Sequence, residues 1–306
     1  MTAQQIAHEE EFELYHYGES LCSQMVRLAL EEKQIAYKSH HMYLELTGEN
    51  LSRAYKQINP NVVVPVLVHN GTPIYNSWEI LRYLDDHAPE QGTPLMPTTP
   101  GGLAALESQV FENALRGDIA LGDNFGTSIA GASTYILANI LKRRPALAVM
   151  WDYLLKHPDP MRKFAFCVLR LRGGLPKPLY EKFIRRLAKG LADTEQQLAD
   201  GRDYMFDNYS LLDVMMTAHF HRLEDVHLDM IFSTDQLPHL TAYWQRVQAR
   251  PSYKPAMTDM HSWEWRAAID DIYKGQPSPF LSLLRSEVAT RLAEQDAARN
   301  NGKAAA

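Results

Sequence analysis

The stretch Ile58-Asn-Pro-Asn-Val-Val-Val-Pro65, which runs straight into Val66-Leu-Val-His69, decides how this chain folds. A proline rarely opens a buried strand, because it has no amide proton for the ladder of hydrogen bonds. If the Val64–Pro65 bond is cis, the amide and carbonyl of Val64 turn outward and are free to pair with an extended peptide. A helix that opens on the serine of Asn76-Ser77-Trp78-Glu79 would then meet that peptide's carboxylate. The stretch therefore predicts a binding site for a small peptide.

The residues around this stretch alternate between strand and helix signals. In chain order they are a strand at 12–17, a helix at 21–33, a strand at 35–44, a short helix or loop at 48–58, strands at 62–68 and 73–75, and a helix at 77–86. The Asn70-Gly71 pair predicts a tight hairpin turn between the last two strands, since it tolerates positive φ. The order βαβ, α, ββα predicts a thioredoxin-like α/β half.

Beyond this half the composition changes. Residues 88–100 are rich in Pro, Gly and Thr, which marks a linker, and helical periodicity dominates from there to the C-terminus. We therefore predict a domain at 12–88, a linker at 89–102 and an all-helical domain at 103–300. Within the second domain, Ser210-Leu-Leu-Asp213 predicts a capping box at the start of a buried helix, with Asp213 as a structural acid.

Bulk composition narrows the class of protein. The net charge of -6 and pI near 6.1 give no footprint for nucleic acid or membrane partners. We interpret the local basic group Lys142-Arg143-Arg144 as a solvated helix face, with a phosphate or lipid role as the alternative. Two cysteines, Cys22 and Cys167, argue against a disulfide framework and predict a cytoplasmic protein. No secretory signal or membrane span is visible, so we expect a soluble chain.

Four motifs resemble, in order and spacing, the cytosolic glutathione S-transferase family. They are the loop 59–67, the helix start 76–84, the capping box 210–213 and the late helix and turn 237–252. The resemblance covers about residues 12–95 and 190–257. It implies a thioredoxin-like domain that binds glutathione as cosubstrate, a helical domain that binds the second substrate, and a dimer.

The resemblance also implies a set of glutathione contacts. Val64 would pair its backbone with the cysteinyl unit, and Ser77 would hold the γ-glutamyl carboxylate with its hydroxyl and helix-end amide. Asn50 stands where relatives reach the glycine carboxylate, and Asn76 can accept a hydrogen bond from the γ-glutamyl ammonium. The chain departs from the family's usual pattern here: Val62 replaces a glycine, Val63 a polar residue and Asn76 a Glu or Gln.

The thiol of glutathione should point at the loop before the first helix. A free thiol has a pKa near 8.5, so a hydroxyl at a helix N-terminus can stabilise the thiolate and lower that pKa. Ser20 lies at the predicted N-cap, where serine-type relatives carry this hydroxyl. Cys22 is the rival catalytic group, because some relatives form mixed disulfides with glutathione through such a cysteine. Tyr15 and Tyr17 are further candidates for the donor.

The second substrate is expected to be a hydrophobic, aromatic electrophile. The segment 113–172 carries a surplus of aromatic residues that suggests a roomy pocket, and the amphipathic stretch 280–292 could close it as a lid. Resemblance to β-aryl etherases and dehalogenases suggests that the thiolate displaces an aryloxide or halide. A non-catalytic glutathione-binding scaffold and a reductase that uses Cys22 remain open as alternatives. We expect no metal, since His219, His221 and His227 share no helix face.

Overall fold

The computed structural model describes residues 5–305 of the chain. A four-stranded sheet comes first, and its strands are β1 (Phe12–His16), β2 (Lys38–His41), β3 (Val66–His69) and β4 (Thr72–Tyr75). Their order across the sheet is β2-β1-β3-β4. β1 is parallel to β2 and antiparallel to β3, and β3 is antiparallel to β4. The Asn70-Gly71 turn between β3 and β4 has positive φ at both residues, as its sequence predicts.

The helices of this half are α1 (Leu21–Glu32), α2 (Leu44–Thr47), α3 (Arg53–Ile58) and α4 (Ser77–His87), with a 3₁₀ turn at Glu49–Leu51. Successive side chains of a strand point to opposite faces of a sheet. On β3, Leu67 accordingly packs with α1 and α4, whereas Val66 and Val68 pack with Tyr55 of α3 on the other face. Both faces of the sheet are therefore covered, and the predicted thioredoxin-like half is confirmed.

The loop before β3 differs from the strand predicted at 62–68. Val62 has a left-handed φ of 53°, the Val64–Pro65 bond is cis, and the ladder begins only at Val66. A residue with left-handed φ cannot continue a strand, and Pro65 has no amide to donate. The run of valines is thus half loop and half strand.

Every element after residue 101 is helical, as predicted. These elements are α5 (Gly102–Asn113), α6 (Phe125–Ala132), α7 (Thr134–Lys142), α8 (Ala146–Trp151), α9 (Pro160–Arg172), α10 (Lys177–Leu198), α11 (Leu211–Asp225), α12 (Pro238–Gln248), α13 (Tyr253–Ala256), α14 (Trp263–Tyr273) and α15 (Leu281–Ala305). A π-helical stretch, Asp152–Lys156, follows α8, and 3₁₀ turns occupy Asp229–Ser233 and Thr258–Met260. No helix within residues 5–305 is long and apolar enough to cross a bilayer.

Helix α11 runs through the centre of the helical half. The predicted capping box opens it: the Asp213 carboxylate accepts hydrogen bonds from the backbone amide of Ser210 at 2.8 Å and from its hydroxyl at 2.7 Å. The other Asp213 oxygen accepts from the Met205 amide at 2.9 Å and the Tyr243 hydroxyl at 3.0 Å. Asp213 is fully buried and holds three segments together, which confirms that it is a structural acid.

The C-terminal helix does not fold over the predicted site as a lid. α15 packs along α10, and it buries Leu281, Leu284 and Val288. Its first turn helps to line a cavity of about 620 Å³ with Tyr180 and Tyr273. None of the six predicted site residues lines this cavity.

A buried ion pair joins the two halves. Arg250, just after α12, donates two hydrogen bonds to the Glu32 carboxylate at the end of α1, at 2.7 and 2.6 Å. The Ser252 hydroxyl donates to the same carboxylate at 2.5 Å, and the guanidinium lies over the Tyr209 ring at 4.0 Å. Burial tends to raise the pKa of Glu32, but these donors outweigh it and lower that pKa.

Candidate functional site

Ser20 occupies the N-cap of α1, as predicted. Its Oγ accepts a hydrogen bond from the Ser23 amide at 3.3 Å, and its backbone is extended, as an N-cap requires. Capping uses a lone pair of the oxygen, so the hydroxyl proton remains available to another acceptor. The side chain is partly exposed at the end of a twelve-residue helix. Ser20 is therefore placed to donate to an anion at this helix terminus.

Cys22 and Ser77 are brought together. Ser77, the first residue of α4, lies near Cys22 in the first turn of α1. Burial raises the pKa of the Cys22 thiol, and the Ser77 hydroxyl and the positive charge of Arg162 offset only part of that rise. Cys22 thus lies beside the predicted peptide site, but its surroundings favour the thiol over the nucleophilic thiolate.

The loop before β3 presents one free peptide group. The Val62 carbonyl accepts from the Asn50 side chain at 2.7 Å, and the Val63 carbonyl accepts from Tyr55 at 2.7 Å and Asn59 at 2.8 Å. Neither the amide nor the carbonyl of Val64 is hydrogen-bonded to any residue in the described range 5–305. A half-buried, rigidly held and unpaired peptide group is an edge to which an extended peptide can add.

Asn50 has a different contact from the one expected. It is 6% exposed, and its amide nitrogen is directed at the Val62 carbonyl rather than outward. Its Oδ1 is buried and has no hydrogen-bond partner among the described residues. Asn50 therefore holds the loop that carries Val64.

Asn76, not Ser77, is the N-cap of α4. Asn76 has a φ of 67°, and its Oδ1 accepts a hydrogen bond from the Trp78 amide at 3.0 Å. Ser77 is the first helical residue, so its backbone amide is one of those that an α-helix leaves without an internal partner. This amide, the Ser77 hydroxyl and the end of the helix dipole favour an anion at the start of α4.

The two tyrosine candidates lie elsewhere. Tyr17 is buried, and its hydroxyl donates to the Glu264 carboxylate of α14 at 3.4 Å. Tyr15 stacks on His40 at 4.3 Å, in the cluster that covers one face of the sheet. Arg27 holds the loop that connects β1 to Ser20. Its guanidinium donates to the carbonyls of Tyr17 and Gly18 at 3.2 and 2.7 Å. Sequence patterns do not single out this residue.

Three buried carboxyl groups surround this loop, and no sequence motif predicts them. Glu19, Glu45 and Glu264 come from distant parts of the chain, and each has one oxygen without a hydrogen-bond partner among the described residues. Burial raises the pKa of Glu19 to about 7, although the Ser262 amide donates to it at 2.5 Å. Burial likewise raises the pKa of Glu45 to about 7. The loop of Ser20 therefore rests on groups that change charge near neutral pH.

The aromatic surplus at 113–172 does not form one enclosed pocket. Phe125 and Tyr153 are buried in hydrophobic clusters, and Tyr135 lines the cavity beside α15. Trp151 and Phe164 are 62% and 66% exposed. The roomy aromatic pocket expected from this segment is thus divided between core, cavity and surface.

Within residues 5–305, two groups of side chains have the spacing that a metal ion requires. They are Glu11, His69 and His87, and His221, Asp225 and His261. His221 joins Asp225, one turn along α11, and the distant His261, which its spacing from His219 and His227 does not reveal. In the second group the two Nε2 atoms hydrogen-bond each other at 2.9 Å, and Arg222 forms an ion pair with Asp225 at 2.9 Å. Arg222 therefore competes with a metal cation for the Asp225 carboxylate.

The fold defines a class of proteins in which a thioredoxin-like domain precedes an all-helical domain. The unpaired peptide group of Val64 lies on the first of these domains. Family models place the chain within this class. The model for the glutathione S-transferase N-terminal domain matches residues 19–87, and the model for the C-terminal domain matches residues 177–246. The chain belongs to the glutathione S-transferase family of enzymes.

Curated relatives match along most of their length. Glutathione S-transferase TCHQD of Arabidopsis thaliana is 27% identical over 79% of this chain and 88% of its own. Tetrachloro-P-hydroquinone reductive dehalogenase of Sphingobium chlorophenolicum is 27% identical over 83% of this chain and 98% of its own. Among solved structures, β-etherase LigF from Sphingobium sp. strain SYK-6 has a TM-score of 0.69 at 23% identity and covers 81% of this chain and 98% of its own. This structural likeness supports the fold.

Proposed function

We propose that this chain is a glutathione transferase in which the thiolate of glutathione displaces a halide or aryloxide from an apolar, aromatic electrophile. The unpaired peptide group of Val64 carries the proposal, because it offers an amide and a carbonyl to the cysteinyl unit of glutathione. Ser77 would hold the γ-glutamyl carboxylate at the start of α4. The Asn76 side chain already caps that helix, so we assign it only a supporting contact with the ammonium.

Ser20 would act on the thiolate. Its hydroxyl proton is not used in capping and can donate to the sulfur, while the N-terminus of α1 adds a favourable partial charge. The glutathione thiol releases its proton, the sulfur forms a bond to the carbon that carries the leaving group, and the halide or aryloxide departs with the bonding electron pair. Asn50 would contribute by fixing the loop of Val64 rather than by reaching the glycine carboxylate.

We infer the class of the electrophilic substrate from the names of two relatives. One of them is named a reductive dehalogenase, and another is a β-etherase. Both names describe removal of a group from an organic substrate. We propose the same kind of substrate here, and a cytoplasmic dimer as the working form. Sedimentation velocity of the purified chain tests the dimer.

A glutathione-dependent reductase is the second candidate, because Cys22 lies near Ser77, next to the proposed cosubstrate. Cys22 would attack a disulfide that contains glutathione, forming a mixed disulfide and releasing the other sulfur as a thiolate. The raised pKa of Cys22 ranks this function below the first.

A panel of three glutathione-dependent assays separates the candidates. Chloronitrobenzene, an aryl ether and a mixed disulfide are tested with wild type, Ser20→Ala and Cys22→Ala, and glutathione binding is measured by calorimetry in parallel. Loss of the first two activities in Ser20→Ala alone, with binding retained, supports the transferase. Loss only in Cys22→Ala overturns it in favour of the reductase. Binding without any activity in wild type indicates a glutathione-binding scaffold.

A further inference from the structure

Residues 142–172 form the hairpin, which begins at the last residue of α7 and contains α8, the π-helical stretch and α9. Its helices α8 and α9 run antiparallel, between the two segments that match the family. Its inner face is well packed. Val149, Tyr153, Cys167 and Leu169 share a cluster with α7, and Tyr153 stacks on Phe166 at 4.4 Å. The Lys56 side chain of α3 donates to the Lys156 carbonyl at 2.6 Å. The hairpin is therefore fixed to the rest of the molecule.

The outer face of this hairpin is apolar and open to solvent. Of the twelve large apolar side chains that are exposed within residues 5–305, seven lie here, on about a tenth of the chain: Leu147, Trp151, Leu155, Met161, Phe164, Val168 and Leu171. They recur at helical spacing, opposite the side chains that pack inward. Exposures of 81% for Leu147 and 74% for Met161 are those of an open surface, not of a cleft. An exposed apolar patch of this kind marks an interaction surface.

The net charge of the hairpin restricts the kind of partner that can bind its outer face. Eight basic and two acidic residues give residues 142–172 a net charge of +6, in a chain whose total is -6. The side chains of Lys142, Lys163 and Arg172 have no ion-pair or hydrogen-bond partner among the described residues. Two copies of such a face would repel each other, so a second copy of this chain is disfavoured. A negatively charged surface with an apolar interior is favoured.

We propose that the α8–α9 hairpin binds the surface of an anionic lipid bilayer. Amphipathic helices that lie in the bilayer interface bury Trp, Phe and Leu at the boundary of the acyl chains, while Lys and Arg bind the head groups. This hairpin has both features. The contact is peripheral: the apolar side chains enter the interface and no helix spans it. Of the basic group Lys142-Arg143-Arg144, only the Lys142 side chain is free for a head group, because Arg143 and Arg144 pair with Asp271 and Asp152.

Vesicle flotation of the full chain tests the proposal without any substrate, so its outcome is separate from that of the catalytic assays. One set of vesicles is pure phosphatidylcholine, and the other contains about a quarter phosphatidylglycerol. We expect at least about tenfold stronger binding to the anionic set, with a decrease as salt is added. Trp151→Glu with Phe164→Glu should weaken this binding about tenfold or more. Lys163→Glu with Arg172→Glu should remove the preference for anionic vesicles.

The matched control replaces two exposed apolar side chains outside the hairpin, Leu121→Glu with Met230→Glu, which are 42% and 41% exposed. This variant should bind vesicles like wild type. All substituted positions are at least partly exposed, so the variants should retain the wild-type melting temperature. Failure of the wild-type chain to bind anionic vesicles overturns the proposal, and points to an acidic protein as partner. An equal loss in the control variant, or an oligomer that the hairpin substitutions dissociate, also overturns it.

Discussion

The Ser20 oxygen caps α1, and in the proposed function its hydroxyl also donates to the thiolate of glutathione. Ser20→Ala removes both the cap and the donor, whereas Ser20→Thr keeps a hydroxyl and a residue that caps well. If the hydroxyl lowers the thiol pKa of bound glutathione by about two units, Ser20→Ala should move the inflection of kcat/KM for the electrophile, measured against pH at saturating glutathione, upward by about two units. The rate at pH 7 should fall about 25-fold, the ratio of the thiolate fractions for pKa values near 6.5 and 8.5, and Ser20→Thr should stay within about tenfold of wild type. An unchanged inflection in Ser20→Ala would count against the role of Ser20.

Glu19 and Glu45 should make the stability of the fold depend on pH. Each pKa is higher in the folded chain, about 7, than in the unfolded chain, about 4.5. Between these values the unfolded state has lost the proton that the folded state keeps, so the free energy of unfolding falls as pH rises through this window. The fall is about 3 kcal/mol per group. Glu19→Gln and Glu45→Gln should each flatten urea-unfolding free energies measured from pH 5 to pH 8.

The exposed Glu90 provides the control for these substitutions. Glu90→Gln should leave the pH dependence of stability as in wild type. If all three variants give curves parallel to wild type, the buried carboxyl groups do not stay protonated in the fold.

The same residues show what the sequence can and cannot predict. Ser20 and the cis Val64–Pro65 loop follow from short motifs, because capping and proline geometry act over a few residues. The cluster of Glu19, Glu45 and Glu264 has no such signal, since folding brings together residues more than two hundred positions apart. Val62 shows a third case: the residue departs from the family's glycine, yet the backbone keeps the left-handed conformation that glycine would favour.

At the scale of elements, the start of α11 is a single unit held by Asp213. Asp213→Ala would leave the buried amides of Ser210 and Met205 without their acceptor. We expect a loss of at least about 3 kcal/mol in the free energy of unfolding, because each buried donor without a partner costs about 1 to 3 kcal/mol. Guanidinium-chloride unfolding measures this loss.

Asp193→Ala is the matched control. Asp193 pairs with Lys189 on the exposed side of α10 and accepts an exposed hydrogen bond from the Gln295 side chain at 2.8 Å. Exposed pairs on a helix contribute about half a kcal/mol or less. A loss in Asp213→Ala no larger than in this control would show that water or a neighbouring group replaces the carboxylate.

Periodicity in the sequence predicts that most of the helices and strands exist and which type each one is. It predicts their first and last residues less well. The helix at 21–33 and the hairpin at Asn70-Gly71 depend on local spacing, and the structure reproduces both. The packing of α15 against α10 depends on distant apolar partners, which periodicity cannot identify. An amphipathic helix reveals that it has a buried face, but not which surface covers that face.

At the scale of the whole molecule, the Glu32–Arg250 pair joins the two halves. Arg250→Ala would leave the buried Glu32 carboxylate without its bidentate partner, and we expect a loss of about 3 to 5 kcal/mol. Arg250→Lys keeps the charge but loses the fork of donors, so its loss should be intermediate. Calorimetric melting should also show the two halves separating into two transitions in Arg250→Ala.

Arg246→Ala serves as the comparison, because Arg246 pairs with Asp203 on the surface, where ion pairs contribute about 1 kcal/mol or less. Losses of equal size in Arg246→Ala and Arg250→Ala would show that the buried pair does not couple the halves.

The hairpin at 142–172 has a further consequence for the molecule in solution. With +6 on this segment, the remaining chain carries -12, so one tenth of the chain has a net charge opposite in sign to that of the rest. Such a distribution gives the molecule a permanent electric dipole. The electric field of a charged surface exerts a torque on this dipole. The molecule is therefore oriented before it makes contact, with the hairpin facing a negatively charged surface. The net charge alone describes the chain as acidic, but its charge distribution gives it a preferred orientation when it approaches a charged surface.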